Sequence, residues 1–146
     1  MDERKVSQSL AHKPVLHVAP ETSVREAARL MTGANSGSVL VMSPPDRLLG
    51  ILTERDLMTR VLARSVDPDR TAVRDVMTPQ PICVPPETPV SEAVLIMLER
   101  GFRHLPVVRG GKVLGVFSAR DALPREVGAA MGMAEFNEQV NDAEGG

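Results

Sequence analysis

The sequence predicts an α/β (α+β) protein made of two β-α-β-β-α repeats that pack with pseudo-twofold symmetry. Two observations predict it. VAPETSVREAARLM (residues 18–31) aligns with VPPETPVSEAVLIM (residues 84–97) at an offset of 66, with 8 of 14 positions identical. GILTERD (residues 50–56) and GVFSARD (residues 115–121) also share the pattern G-x-x-[ST]-x-x-D. Because a repeat of about 55 residues would be marginally stable alone, we expect the two repeats to pack together.

The repeats set the expected organisation of the chain. We expect an N-terminal tail, a first repeat, a linker, a second repeat and a C-terminal tail or helix over residues 1–8, 9–63, 64–74, 75–128 and 129–146. The linker contains Pro68 between two acidic residues, a composition typical of turns.

In each repeat a short apolar segment precedes a helix. These segments are PVLHV (residues 14–18) and PICV (residues 81–84). In the first repeat, Ser23 and Glu26 have the spacing of a capping box, which predicts the helix start. We expect this helix to end at Asn35, a residue type that tolerates the left-handed conformation of a C-terminal cap.

The second-repeat helix shows an apolar face at helical spacing. We expect Thr88 to cap this helix, with Pro89 at its first position and Gly101 at its end. The residues of the apolar face are Val90, Ala93, Val94, Met97 and Leu98.

A two-stranded hairpin should follow each helix. The expected strands are residues 38–42 and 48–53 in the first repeat and residues 104–108 and 112–118 in the second. Gly110–Gly111 is a strong hairpin turn signal. Gly50 and Gly115 lie within the second strand of each hairpin, where a side chain would crowd a close neighbour. A second helix should start near the aspartate that ends each motif.

Composition argues against several functions. The net charge of −2 and the 2% aromatic content argue against a nucleic-acid partner, since the chain has neither a basic excess nor many aromatic side chains on which bases could stack. The apolar runs are too short to span a membrane, and the N-terminus lacks a signal-peptide pattern. The single cysteine, Cys83, fits a reducing cytoplasm. We expect a soluble, cytoplasmic protein with Cys83 inert in a mostly buried strand.

The repeated motif has a chemical interpretation. It places a hydroxyl (Thr53 or Ser118) and a carboxylate (Asp56 or Asp121) together at a helix N-terminus. Amide groups at such a terminus favour phosphate, and a carboxylate accepts hydrogen bonds from a ribose diol. The alternative is an ordinary helix cap, which uses the same residue types.

These features resemble a tandem pair of cystathionine-β-synthase (CBS) domains, called a Bateman module. The resemblance rests on DVMTPQPICVPPETPVSEAVLIMLERGFRHLPVV (residues 75–108) and both motifs, and it covers nearly the whole chain. It implies two clefts that bind AMP, ADP, ATP, NAD(H) or S-adenosylmethionine as regulatory ligands, with no catalytic cofactor. A stand-alone bacterial module is the type that this chain is similar to.

The resemblance also implies which residues contact the ligand. One cleft would join Thr53 and Asp56 with Thr78, Ile82, Cys83, Phe102, Arg103, His104 and Pro106. The other would join Ser118 and Asp121 with Leu16, His17, Ser36, Gly37 and Ser38. Candidate phosphate partners are Arg55, Arg103 and Arg120, because a guanidinium matches phosphate geometry. The first repeat has His12 in place of Thr78 and NSGSVLV in place of GFRHLPV, so we expect one good site and one weak site.

Three functions are compatible with the sequence. We expect a regulatory module that senses an adenosyl nucleotide, forms a homodimer and modulates a partner protein that the sequence does not name. An interaction protein with empty or vestigial clefts is the alternative. The third function, an enzyme acting on a nucleotide, is disfavoured because the sequence shows no nucleophile–base pair. A metal site is disfavoured because His12, His17, His104 and Cys83 lack metal-ligand spacing.

Overall fold

The protein is described by a computed structural model that covers residues 3–10 and 14–145, with side chains described through Asn141. The fold is a mixture of helices and short strands, as the sequence predicts. In the first half a 3-10 turn, Val6–Ser9, precedes β1 (His17–Val18), α1 (Val24–Gly33), β2 (Ser38–Ser43) and β3 (Arg47–Thr53). The helical turn α2 (Glu54–Asp56) continues directly into a π-helical segment, Leu57–Leu62.

The second half has a similar order of elements, but its first strand and its end differ from those of the first half. A 3-10 turn, Val73–Asp75, is followed by β4 (Thr78–Pro79), α3 (Val90–Arg100), β5 (His104–Arg109) and β6 (Lys112–Ser118). The chain then makes a separate 3-10 turn, Ala119–Asp121, before α4 (Pro124–Gly145). The C-terminal helix therefore starts at Pro124, before the expected tail at residue 129. The extended residue Ala122 separates it from the motif.

The strands form a four-stranded sheet in the order β1-β2-β3-β4 and a two-stranded sheet of β5 and β6. β1 runs parallel to β2, whereas β2–β3 and β3–β4 are antiparallel. In the second repeat the expected first strand is reduced to a parallel bridge between Val84 and Val107. Both hairpins form as predicted, and Gly110 and Gly111 have the positive φ angles that their turn requires.

The chain divides into two compact units that do not coincide with the sequence repeats. One unit contains residues 14–82 and 110–113, and the other contains residues 3–10, 83–109 and 114–145. Residues 3–10, which we name the N-terminal segment, thus belong with the second repeat. The strand β4, which precedes α3 in the chain, pairs with β3 of the first repeat.

The ends of α1 follow the sequence expectation. The Ser23 hydroxyl accepts a hydrogen bond from the Glu26 amide, which is the predicted N-cap. At the other end Asn35 has φ 50°, and the amides of Asn35 and Ser36 donate to the carbonyls of Thr32 and Met31. This pair of bonds is a Schellman motif.

The start of α3 differs from the prediction. Thr88 does not cap the helix, Pro89 is the N-cap residue, and the first helical residue is Val90. The N-terminal segment provides the reason, because the Val90 amide donates to the Arg4 carbonyl and the Val6 amide donates to the Thr88 carbonyl, both at 2.9 Å. An amide that another segment satisfies needs no side-chain cap. Gly101 ends α3 with φ 76°, as predicted.

The apolar interiors are built from aliphatic residues, since aromatic residues are scarce. The core of residues 14–82 consists of Val18, Val24, Ala27, Met31, Val39, Val41, Leu52, Val61, Val73 and Val76. In the other unit Phe117 is fully buried, together with Leu105 and Val107. Leu98 is 49% exposed, so the predicted apolar face of α3 is buried only through Met97. No helix in the described part of the chain is both long and apolar enough to cross a membrane.

Candidate functional site

The first copy of the motif (Gly50–Asp56) forms a reciprocal cap at the end of β3. The Thr53 hydroxyl lies 3.3 Å from the Asp56 amide, and the Asp56 carboxylate accepts from the Thr53 amide at 2.9 Å and from its hydroxyl at 3.0 Å. These bonds satisfy two amides that a helix start leaves without partners. This copy therefore has the geometry of a helix cap, and the ligand-binding interpretation of the same residues stays a prediction.

Asp56 also holds the strand β4. The Thr78 hydroxyl donates to Asp56 Oδ1 at 3.2 Å, so both carboxylate oxygens accept hydrogen bonds. Arg60 Nε lies 3.9 Å from the same oxygen, and Arg60 Nη1 donates to the Met77 carbonyl at 2.6 Å. Asp56 is only 6% exposed. Thr53, Asp56 and Thr78, which the resemblance assigns to one cleft, therefore form a connected polar cluster.

Gly50 makes this cluster possible. A Cβ atom at Gly50 would lie 2.5 Å from Met77 Sδ and 2.7 Å from the Thr78 carbonyl oxygen. The predicted close neighbour is thus β4, which pairs with β3 at this residue. At Gly115 the neighbour is the Leu10 side chain, 3.2 Å from a Cβ atom.

The second copy of the motif (Gly115–Asp121) makes a similar but looser cap. The Asp121 carboxylate accepts from the Ser118 amide at 2.9 Å, and the Ser118 hydroxyl lies 3.4 Å from the Arg120 amide. Asp121 is partly exposed, whereas Asp56 is buried. After Asp121 the backbone becomes extended at Ala122, with ψ 141°, so no continuous helix follows this copy.

Arg4 bridges the gap between the second copy and α4. Its guanidinium donates to the Glu126 carboxylate through two nitrogens, at 3.2 and 2.9 Å, and to the Asp121 carbonyl at 2.7 Å. Glu126 also accepts from the Leu123 amide at 2.7 Å, which caps α4. The side chains of Arg4 and Glu126 are 25% and 9% exposed. The hydrogen bonds from Arg4 hold the pKa of the Glu126 carboxyl below its usual value.

This ion pair predicts an acid-sensitive contribution to stability. Because the pKa of Glu126 is lower in the folded protein, the pair stabilises above the unfolded-state pKa of about 4.3 and is lost as pH falls through the folded-state pKa. We expect Glu126→Gln to lower the free energy of unfolding by about 1 kcal/mol at pH 7. Urea unfolding of both proteins should show this difference shrinking below about pH 4. A difference that is equal at pH 7 and pH 3 would contradict the assignment.

Each motif copy touches a loop of its own repeat. The Glu54 amide donates to the Gly37 carbonyl at 3.1 Å, and the Ala119 amide donates to the Arg103 carbonyl at 2.9 Å. Gly37 and Arg103 occupy equivalent positions of the two repeats. In the first repeat the Ser36 hydroxyl donates to the Ser38 carbonyl at 2.8 Å, which fixes the loop. The cross-repeat pairing of loop and motif that the resemblance implies stays a prediction.

The other candidate residues differ in exposure. Leu16 lies beside β1, and its carbonyl accepts from the Leu40 amide at 3.0 Å. The exposed candidates are His17, Arg55, Cys83, Arg103 and Arg120, the half-buried ones are Leu16, Ile82, Phe102, His104 and Ser118, and Pro106 is buried. The three candidate arginines are therefore exposed to solvent.

The prediction of a buried Cys83 is wrong. Cys83 is exposed, because residues 81–83 form no strand and only Val84 bridges to β5. Although the residue as a whole is exposed, desolvation by neighbouring atoms raises the pKa of the Cys83 thiol. A raised pKa lowers the thiolate fraction, so the cysteine is accessible but not activated.

Among the described residues no group of three or more His, Cys, Asp or Glu side chains is placed to hold a metal ion. His12 lies outside the described residues. Sequence reasoning missed Arg60, Arg4 and Glu126. Arg60 follows Asp56 by four residues on a helix, a spacing that signals a possible pair. Arg4 has no comparable signal, because its partner lies 122 positions away.

The duplicated β-α-β-β-α unit and its two capping motifs define a tandem-repeat module. A model of the CBS domain matches the chain twice, over residues 6–63 and 73–127. The chain therefore belongs to the CBS domain family, as a tandem pair or Bateman module.

Relatives and solved structures agree with this assignment. An uncharacterised protein of Acidianus ambivalens is 40% identical over 118 residues, 80% of this chain and 70% of that protein. One from Methanopyrus kandleri is 35% identical over 118 residues, 80% of this chain but only 60% of that protein.

Two solved structures have the same fold. A CBS-domain-containing protein from Agrobacterium tumefaciens is 30% identical with a TM-score of 0.73, covering 80% of this chain and 94% of that one. A CBS domain protein from Pyrobaculum aerophilum, solved in complex with AMP, is 26% identical with a TM-score of 0.75 and covers 85% and 95%.

Proposed function

We propose that this chain is a regulatory module that binds an adenosyl ligand at the two copies of the motif and catalyses no reaction. AMP, ADP, ATP, NAD(H) and S-adenosylmethionine are the candidate ligands. Binding would favour one packing arrangement over another, and a partner protein would respond to that change. We further propose that the module is a homodimer, which light scattering after size-exclusion chromatography would measure.

The observation that carries the proposal is the repeated hydroxyl–carboxylate pair. Each pair lies at the start of a helical turn, and the amide that follows its hydroxyl residue, Glu54 or Ala119, donates to the equivalent loop of the same repeat. The carboxylate suits the hydroxyls of a ribose. Most amides of each turn already donate to oxygens of the protein, so the phosphate falls to the neighbouring arginines. The exposed Arg55, Arg103 and Arg120 supply positive charge for the phosphate. The AMP complex of the Pyrobaculum aerophilum protein supports an adenine nucleotide as the ligand class.

One observation favours a second candidate, an interaction protein with vestigial clefts. Both carboxylate oxygens of Asp56 already accept hydrogen bonds from the protein, so a ribose would have to compete with Thr53 and Thr78. Asp121 is partly exposed, and its carboxylate lies on a short turn. The two copies therefore need to be tested separately.

The test is thermal unfolding with each candidate ligand, followed by calorimetric titration. A ligand at about 100 times its Kd should stabilise the wild type by about 2.7 kcal/mol and raise its Tm by several degrees. Asp56→Asn and Asp121→Asn remove one carboxylate charge each, and Asp46→Asn in the exposed β2–β3 turn is the matched control. Each shift is measured against the ligand-free Tm of the same variant, because Asp56 and Asp121 also cap helical turns.

We expect each single variant to lose the part of the shift that its own copy contributes, the double variant Asp56→Asn/Asp121→Asn to lose all of it, and Asp46→Asn to keep it. A shift that survives in the double variant would place the ligand elsewhere. If the folded wild type responds to none of the six ligands (NAD⁺ and NADH counted separately), the adenosyl proposal is wrong and the interaction protein remains.

A further inference from the structure

The N-terminal segment is a built-in part of the second repeat's unit. Its backbone bonds to the segment before α3, through Val6 to Thr88 and Ser7 to Pro86, and Val6 is fully buried. The Ser91 hydroxyl donates to the Glu3 carboxylate at 2.9 Å. These contacts fix the backbone of Arg4, and the hydrogen bonds to Glu126 and to the Asp121 carbonyl fix its guanidinium.

Arg4 contacts the second motif copy at the residue where its helical turn ends. The first copy is supported by its own helix as well as by β4, since α2 runs without a break into Leu57–Leu62 and Arg60 Nε lies 3.9 Å from Asp56 Oδ1. The second copy ends in a three-residue turn, and Ala122 leaves the helical conformation. So short a turn has little stability of its own.

Arg4 supplies the missing support from outside the repeat. One guanidinium nitrogen, Nη2, donates both to the Asp121 carbonyl and to Glu126 Oε1. Glu126 in turn caps α4 through the Leu123 amide. A single side chain therefore fixes the end of the motif relative to the start of α4, and the planar guanidinium suits this forked geometry.

We propose that Arg4 is a positioning residue for the second motif copy, so that ligand binding through Asp121 requires the N-terminal segment to be docked. The proposal rests on the proposed function of that copy. Docking and binding then strengthen each other, because a coupling between two sites acts equally in both directions. Ligand binding at the second copy would therefore favour the docked state of the N-terminal segment.

The test measures AMP binding to the full-length chain by calorimetry, at a temperature where circular dichroism shows every variant folded. Arg4→Met is expected to weaken Asp121-dependent binding roughly tenfold, within the usual range of such couplings. The double variant Arg4→Met/Glu126→Gln also removes Arg4, but it leaves no buried carboxylate without its partner and is therefore less prone to misfold. It should weaken binding similarly, whereas Arg4→Lys should restore part of the affinity. Arg25→Met removes an exposed arginine that pairs with Asp69 and is the matched control.

Each outcome decides the matter. Weaker AMP binding in both Arg4 variants but not in Arg25→Met supports the positioning role, since loss of stability alone does not change the affinity of a folded protein. Unchanged binding, or binding that depends only on Asp56, overturns the positioning role and leaves the proposed function intact. Absence of AMP binding by the wild type overturns the positioning role as stated. The proposed function itself fails only if the other five ligands also fail to bind.

Discussion

Replacing Phe117 by alanine is expected to lower the free energy of unfolding by about 3–5 kcal/mol. Phe117 is the largest of the fully buried side chains and lies in β6. Its removal deletes a large apolar contact area and leaves a cavity that neighbouring backbone cannot fill. A loss of this size is a large share of the roughly 5–15 kcal/mol that stabilises a typical domain. Urea unfolding followed by far-ultraviolet circular dichroism measures it.

The matched control is Phe136→Ala in α4. Phe136 is 65% exposed, so the same chemical change should alter stability by no more than about 0.5 kcal/mol. Because Phe117 directly precedes Ser118, the variant should also weaken any Asp121-dependent ligand binding. Equal losses of stability in the two variants would show that β6 is not packed as described.

The second large effect is expected for Gly50→Ala, at about 1–3 kcal/mol. The new methyl group would approach the Thr78 carbonyl to 2.7 Å, and backbone held by strand pairing moves less readily than a side chain. β4 must therefore shift, which lengthens the hydrogen bond from Thr78 to Asp56. Urea unfolding reports the stability, and hydrogen exchange of the Gln80 amide, which donates to the Leu49 carbonyl, reports the β4 segment.

Gly115→Ala is the natural comparison, because it is the same change at the equivalent position. There the methyl group meets only the flexible Leu10 side chain at 3.2 Å or more, so we expect a smaller loss. If Gly115→Ala costs as much stability as Gly50→Ala, the difference between a backbone neighbour and a side-chain neighbour is not what decides the effect.

Much of the fold was predictable because it depends on local signals. The internal repeat predicted two copies of one unit, and Ser23, Asn35 and Gly101 marked helix ends through their own backbone preferences. The hairpin at Gly110–Gly111 follows from the positive φ angles that glycine tolerates. In the candidate site, the pairing of Thr53 with Asp56 is equally local, since three residues separate them.

The rest depends on contacts between residues far apart in the chain. Thr88 is a good cap by type, but the N-terminal segment supplies the partner for the Val90 amide instead. Cys83 lies in an apolar sequence, yet tertiary pairing begins only at Val84. Arg4 and Glu126 each resemble ordinary surface charges until the fold brings them together. Local sequence patterns in one repeat do not predict which of its residues a distant segment of the chain will contact.

The division of the chain into two units determines which fragments of the protein keep a complete set of contacts. A boundary drawn in the linker at residues 64–74, as the repeat suggests, would yield an N-terminal fragment without β4 and a C-terminal fragment without the N-terminal segment. Each fragment would keep its motif and lose the strand or segment that braces it. Each repeat is thus completed by a segment from outside its own boundaries. We therefore expect neither repeat to act as an independent sensor when it is produced alone.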